Sequence, residues 1–141
     1  MKKLINKQIT VITHNKDALL IFADSDEIRI DYQNSAWRLI NNGQILVSSA
    51  DVQADFAYYM IEEATDFLID KYSQKDEAVF EKIDELREGI DKIINDKFNM
   101  IENLLADKII TNADKTSLGD ISLTFSNGVI LEIIKMSKQK I

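Results

Sequence analysis

His14 is the only histidine in the chain, so any imidazole acid–base chemistry has to use it. It stands in the polar run His14-Asn15-Lys16-Asp17, which reads as a turn. A general base needs a positioned partner and a sheltered site. A turn supplies neither, so the simpler expectation is a solvated turn residue. With one His and no Cys, transition-metal ligation lacks its usual donors. Without Cys, no disulfide framework, thiolate zinc site or cysteine nucleophile can form. Asp24, Asp26 and Glu27, with Asp31 nearby, gather the carboxylates that a hard cation such as calcium takes. Their spacing lacks the Gly and the distal Glu of a calcium loop, and turn formation explains Asp and Ser there without a ligand. The glycines at 43, 89, 119 and 128 are dispersed and build no phosphate cradle. No nucleophile elbow or paired-histidine zinc motif occurs. The expectation is therefore no catalytic, cofactor or metal site. A carboxylate-dependent enzyme or small-ligand binder stays open as the third reading.

The charged feature with most content lies further along. Glu77, Glu81, Asp84, Glu88 and Asp91 fall within about 80° of arc at helical spacing. Asn95, Asn99 and Glu102 continue the stripe, whereas Lys75, Lys82, Arg87 and Lys92 lie off it. Like charges at i,i+4 cost a few tenths of a kcal/mol per pair. A helix shaped for stability alone would mix Lys into that line. Two readings follow: a surface that meets the basic groups of a partner, or an ordinary solvated face.

The balance of charge bears on the same choice. The chain has 141 residues and a formal net charge of −7. Nucleic acid is a poor partner for such a surface, because phosphates must be met by clustered Lys and Arg. A basic protein partner is compatible with it, as is plain solubility. No apolar run approaches the ~20 residues of a membrane span. Met1 to Ile5 runs at once into Asn6, Lys7 and Gln8, too polar for a signal peptide's core. A cytoplasmic location is expected, and the lack of Cys fits a reducing compartment. At this length a single domain, 1–141, can bury a core without metal or disulfide.

The elements that would position these groups can be read from periodicity. Residues 7–13 alternate and are β-branched, so they read as a strand. Residues 18–23 and 27–32 read as a hairpin about Asp24-Ser25-Asp26. Residues 36–40 and 44–48 read as another, turned by Asn42-Gly43. Residues 1–48 are thus expected to be an antiparallel meander. Ser48-Ser49-Ala50-Asp51 has capping-box spacing and should open a first helix, 50–72. Phe56, Met60, Ile61, Ala64, Phe67 and Leu68 belong to its wide apolar arc. Ser73 to Asp76 repeats the spacing and should open a second helix, 75–106. There Val79, Phe80, Ile83, Leu86, Ile90, Ile93, Ile94, Phe98, Ile101, Leu104 and Leu105 share roughly 140° of arc. One continuous rod is the alternative; the second cap favours a break. Residues 108–111 read as a short strand, and Asp114 to Gly119 as loop. Residues 120–125 and 129–135 read as a last hairpin, turned by Asn127-Gly128. The fold class expected is α+β: a mainly antiparallel sheet of hairpins, packed against two long helices, with 50–106 helical and 108–136 forming the C-terminal strands. Trp37 reads as a core anchor on its strand.

An internal echo runs through the two ends. Asp17, Leu20, Phe22, Asp24, Ile28 and Ile30 align without a gap on Asp120, Leu123, Phe125, Asn127, Leu131 and Ile133. Two hairpins with one buried face converge on such a pattern, and a duplication would also produce it.

The stretch Asp31 to Ile40, then Gly43 to Leu46 and Ser48 to Asp51, resembles small uncharacterised bacterial α+β families, as does Asp120 to Ile133. Several of those families are similar to immunity proteins, which neutralise a cognate toxin by binding it. The resemblance implies a non-enzymatic binding module and carries over no functional residue. Together these readings point to an acidic immunity-type or accessory protein occluding a basic partner. Glu77, Glu81, Asp84, Glu88 and Asp91 are its expected contact residues. The alternative is a structural or regulatory homo-oligomer assembled through its helices. A homo-dimer is expected in either case, because the apolar arc of the second helix exceeds what a short meander can cover.

Overall fold

The computed structural model describes residues 1–15, 17–52, 62, 63, 66 and 77–136. Among them eight strands form: β1 (Ile9–His14), β2 (Ala18–Ala23), β3 (Asp26–Asp31), β4 (Ser35–Asn41), β5 (Gln44–Ser48), β6 (Ile110–Lys115), β7 (Ile121–Phe125) and β8 (Ile130–Lys135). One long helix, α1 (Glu77–Leu105), lies between β5 and β6, and short 3-10 turns occupy Lys2–Leu4 and Ser49–Val52. The strands make two antiparallel sheets, ordered β1-β2-β3 and β5-β4-β8-β7-β6.

This corrects the expected fold class. The protein is a mostly antiparallel β structure of two sheets, with a single long helix among the described residues, and not one sheet packed against two long helices. The expected meander 1–48 is divided, because β4 leaves β3 and pairs with β8. Hydrophobic alternation names a strand's buried face but not its partner. The capping spacing at Ser48 does form: Asp51 Oδ2 accepts from the Ser48 backbone N–H at 2.8 Å. It closes the 3-10 turn Ser49–Val52 rather than the first turn of an α-helix. Most of the expected helix 50–72, the cap at Ser73 to Asp76 and the junction between the two expected helices lie outside the described residues. The strand expected at 108–111 runs instead from Ile110 to Lys115, into the expected loop. Its Thr111, Asn112, Asp114 and Lys115 are exposed, so their polarity is that of a solvated strand face.

The echo between the two ends is a structural repeat. In β1–β2 the paired residues are Ile9 with Ala23, Val11 with Phe22, Ile12 with Ile21, Thr13 with Leu20 and His14 with Leu19. In β6–β7 they are Ile110 with Phe125, Asn112 with Thr124, Ala113 with Leu123, Asp114 with Ser122 and Lys115 with Ile121. Both pairs carry the same bulge, after Ile9 and after Ile110. The second hairpins match in the same way: Leu19–Ile30 and Ile21–Ile28 correspond to Ile121–Ile133 and Leu123–Leu131. Side-chain bonds recur too. Thr10 Oγ1 donates to the Phe22 carbonyl, and Thr111 Oγ1 donates to that of Thr124. Asn15 Oδ1 accepts from the N–H of Ala18, and Thr116 Oγ1 accepts from that of Asp120. Each connecting turn is one residue longer in the second copy. The gapless alignment therefore fits β3 on β8 but places β2 one residue out of step with β7. The buried Leu123 and Phe125 stand where Ile21 and Ala23 do, not Leu20 and Phe22.

The copies meet across a local two-fold axis. Its centre is the antiparallel bridge between Gln8 and Ile109, which are equivalent residues. Around it the backbone N–H groups of Asn6 and Asp107 donate to the carbonyls of Ile110 and Ile9 at 2.7 and 3.0 Å. Those of Ile9 and Ile110 donate to Lys108 and Lys7, both at 2.9 Å. Asn6 and Asp107 share a left-handed backbone, with φ of 72° and 62°. Asn and Asp tolerate that conformation better than other side chains with a Cβ. One core results, in which Leu19, Ile21, Ile28 and Ile30 of one sheet join Trp37, Leu39, Leu123, Phe125, Leu131 and Ile133 of the other. Phe98, Ile101 and Leu105 bring the C-terminal end of α1 into it.

Candidate protein-binding helix

A helix forms over Glu77–Leu105 because its apolar residues recur at helical spacing and neither Pro nor a run of β-branched residues breaks it. Its last turns are held firmly. Phe98, Ile101 and Leu105 are buried, and Asn127 Nδ2 donates to the Leu104 carbonyl at 2.8 Å. That side chain satisfies one of the carbonyls a helix end leaves open. Along the rest of α1 the burial is selective. Ile83 is buried, while Phe80, Leu86, Ile93 and Met100 are exposed by 38, 51, 58 and 39%.

Glu77, Glu81, Asp84, Glu88 and Asp91 all lie exposed on α1. The helix brings them onto one line, and among the described residues no ion pair engages Glu77, Glu81, Asp84 or Glu88. Asn95, Asn99 and Glu102 continue that exposed line. Phe80 borders it, one turn from Asp84, so an apolar side chain stands beside the carboxylates. Leu86, Ile93 and Met100, seven residues apart, form a second exposed line on the far side of the buried one. The sequence places Leu86 and Ile93 on a single apolar arc with the buried residues, an arc that leaves out Met100. Their seven-residue spacing was the available sign of a separate ridge.

His14 is not in a turn: it is the last residue of β1. Its ring stacks on Phe98, with centroids 3.4 Å apart and planes 2° apart. The stack ties α1 to the three-stranded sheet. One face of the imidazole is covered while its edge stays open. Loss of solvent on that face lowers its pKa from the usual value, and the nearby Glu102 carboxylate opposes the shift. The neutral ring is therefore favoured on folding. Its contribution to stability is complete above the unfolded pKa of about 6.5 and fades as pH falls through that value toward the lower folded one. Melting curves of wild type and His14→Phe, taken between pH 5 and 8, should diverge below about pH 6.5, with the wild type losing more. A constant difference over that range would remove this account.

Three of the four carboxylates of the acidic hairpin have structural work. Asp26 pairs with Lys7, whose hydrogen bond holds the Asp26 carboxyl below the usual range. Asp24 Oδ2 accepts from the Gln8 N–H at 3.3 Å, and Asp31 Oδ1 accepts from Arg29 Nε at 2.8 Å. Among the described residues no three His, Asp or Glu side chains converge on a metal-sized site. Among the described residues two buried polar atoms have no partner, Tyr32 Oη and Trp37 Nε1. Burial pushes the Tyr32 phenol up to about 12. Among the described residues no helix is long and apolar enough to cross a membrane.

Comparison of the chain with known proteins finds no matching family model, no matching curated sequence and no matching solved structure.

Proposed function

We propose that the chain is a non-catalytic protein-binding module that presents α1 to a basic partner, in the manner of an acidic immunity-type or accessory protein of the cytoplasm. The observation that supports this is the exposed carboxylate line Glu77–Glu81–Asp84–Glu88–Asp91 with Phe80 at its border. Complementary charge speeds association and selects the partner, and an apolar side chain that becomes buried holds the complex. The α1 end beyond the line is locked into the core, so the surface is preorganised and little ordering entropy is lost on binding.

The triple reversal Glu81→Lys, Asp84→Lys and Glu88→Lys should leave the fold intact, because all three side chains are exposed. A partner retained by the wild type should associate with this variant at least tenfold more slowly at low salt. The wild-type rate should fall with added salt while the variant's does not. An unchanged rate and salt dependence would make the line a solvated face.

A second reading has its own observation. The ridge Leu86–Ile93–Met100 has the spacing of a helix-pairing seam, which favours a homo-dimer joined through α1. Sedimentation separates the two readings, since Ile93→Asp would dissociate such a dimer and spare binding at the acidic line.

A further inference from the structure

The repeat is incomplete in one respect. In the second copy, β8 carries β4 along its outer edge: Ala36 pairs with Ile134, Trp37 with Ile133, Arg38 with Glu132, Leu39 with Leu131 and Ile40 with Ile130. In the first copy the counterpart of β8 is β3, which closes its sheet as the last strand. Its ladder partner among the described residues is β2. The Tyr32 N–H donates back to Asp17 on the β2 side. By the alternation of an antiparallel ladder, the N–H and C=O of Glu27 and Arg29 therefore face outward. Their counterparts on β8, Ile130 and Glu132, face β4.

This edge lacks two of the devices that keep strands from pairing. It holds no proline and no bulge, and its inward side chains are Ile28 and Ile30, both buried. The exposed charges at Glu27 and Arg29 are a device that it does carry, and they oppose any strand whose charges do not match them. We propose that the outer edge of β3 accepts an extended segment of a partner polypeptide, antiparallel and in the register that β4 adopts on β8. This surface is separate from α1, and the inference does not depend on the role given to that helix.

The internal pairing states what the segment must look like. Opposite Ile30 and Ile28 it carries a bulky and a smaller apolar side chain, in the places of Trp37 and Leu39. Arg38 Nε donates to Glu132 Oε2 across β4 and β8 at 2.7 Å. Arg29 occupies the place of Glu132, so the charges exchange and the segment is acidic there. Opposite Glu27 and Asp31 it is basic. The motif is basic, large apolar, acidic, apolar, basic: main-chain bonds supply affinity and alternate side chains supply specificity.

The capped peptide Ser-Lys-Trp-Glu-Leu-Lys-Asn is the probe, titrated into the full chain and followed by amide chemical shifts. Saturable shifts centred on Glu27 to Asp31 are expected. N-methylation of the peptide's Lys and Glu amides should abolish them. Arg29→Glu should weaken binding at least tenfold, and exchanging the peptide's Glu for Arg should restore it. Glu27→Pro removes an outward N–H without touching the β2 ladder and should also abolish binding, with the spectrum otherwise folded. No shifts at millimolar peptide, or equal binding of the N-methylated control, would overturn the proposal. So would a wild-type dimer that Glu27→Pro turns into a monomer, because a second copy would then be the occupant.

Discussion

Trp37→Ala is expected to lower the free energy of unfolding by about 3–5 kcal/mol. Trp37 is the largest of the fully buried side chains, 1% exposed, and stands on β4 opposite Ile133. Truncation removes its apolar surface from the core and leaves a cavity that the flanking strands cannot close without breaking the β4–β8 ladder. Domains are stable by only about 5–15 kcal/mol, so the variant should show a much lower urea midpoint by circular dichroism. Fluorescence cannot report it, because Trp37 is the sole tryptophan. Trp37→Phe separates packing from polarity. It keeps an aromatic ring and removes an indole N–H that has no acceptor among the described residues, so it should cost less than about 2 kcal/mol. A cost below about 1 kcal/mol for the alanine variant would contradict the burial described.

Ile9→Ala and Ile110→Ala should each cost about 2–4 kcal/mol, and their costs should agree within about 1 kcal/mol. Both residues are wholly buried, both precede the bulge in their strand, and their backbones bond reciprocally across the local axis. Equal surroundings should give equal losses. The double variant should depart from additivity, since the two sites share one junction. Near-neutrality of one beside a large loss at the other would show that the repeat is one of backbone path without equivalent packing. Urea titrations of the three variants measure all of this.

Local structure was legible where side chains alone determine it. Asn42-Gly43 supplies two successive left-handed residues, with φ of 52° and 76°, and the hairpin β4–β5 follows. The apolar spacing of Glu77–Leu105 defined a helix whose C-terminal end, expected at Ala106, lies within one residue of the observed one. What stayed hidden was set by distant partners. Nothing in Ser35–Asn41 states that it joins β8 in preference to the adjacent β3. The polar neighbours of His14 spell a turn, since the stack on Phe98 depends on how α1 lies over β1. The repeat was visible as alternation, but the longer turns of the second copy hid its register. The acidic line was fully legible because helical spacing alone assembles it. The ridge at Leu86, Ile93 and Met100 was not, because periodicity marks an apolar side chain but not whether anything covers it.

The route of β4 also has a consequence in time. Synthesis runs from the N-terminus, so β1, β2 and β3 can assemble as soon as they emerge, with short loops to close. β4 and β5 follow at once, yet β8 is made last of the eight strands, after α1, β6 and β7. The pairing of Ser35 with Lys135 and of Ile40 with Ile130 closes the longest loops in either sheet. Such non-local contacts pay their loop entropy before they return any stability, and they slow folding. The chain contains no proline, so no prolyl isomerisation can account for a slow phase. Refolding should therefore be limited by topology, with burial of the Trp37 indole among its last events.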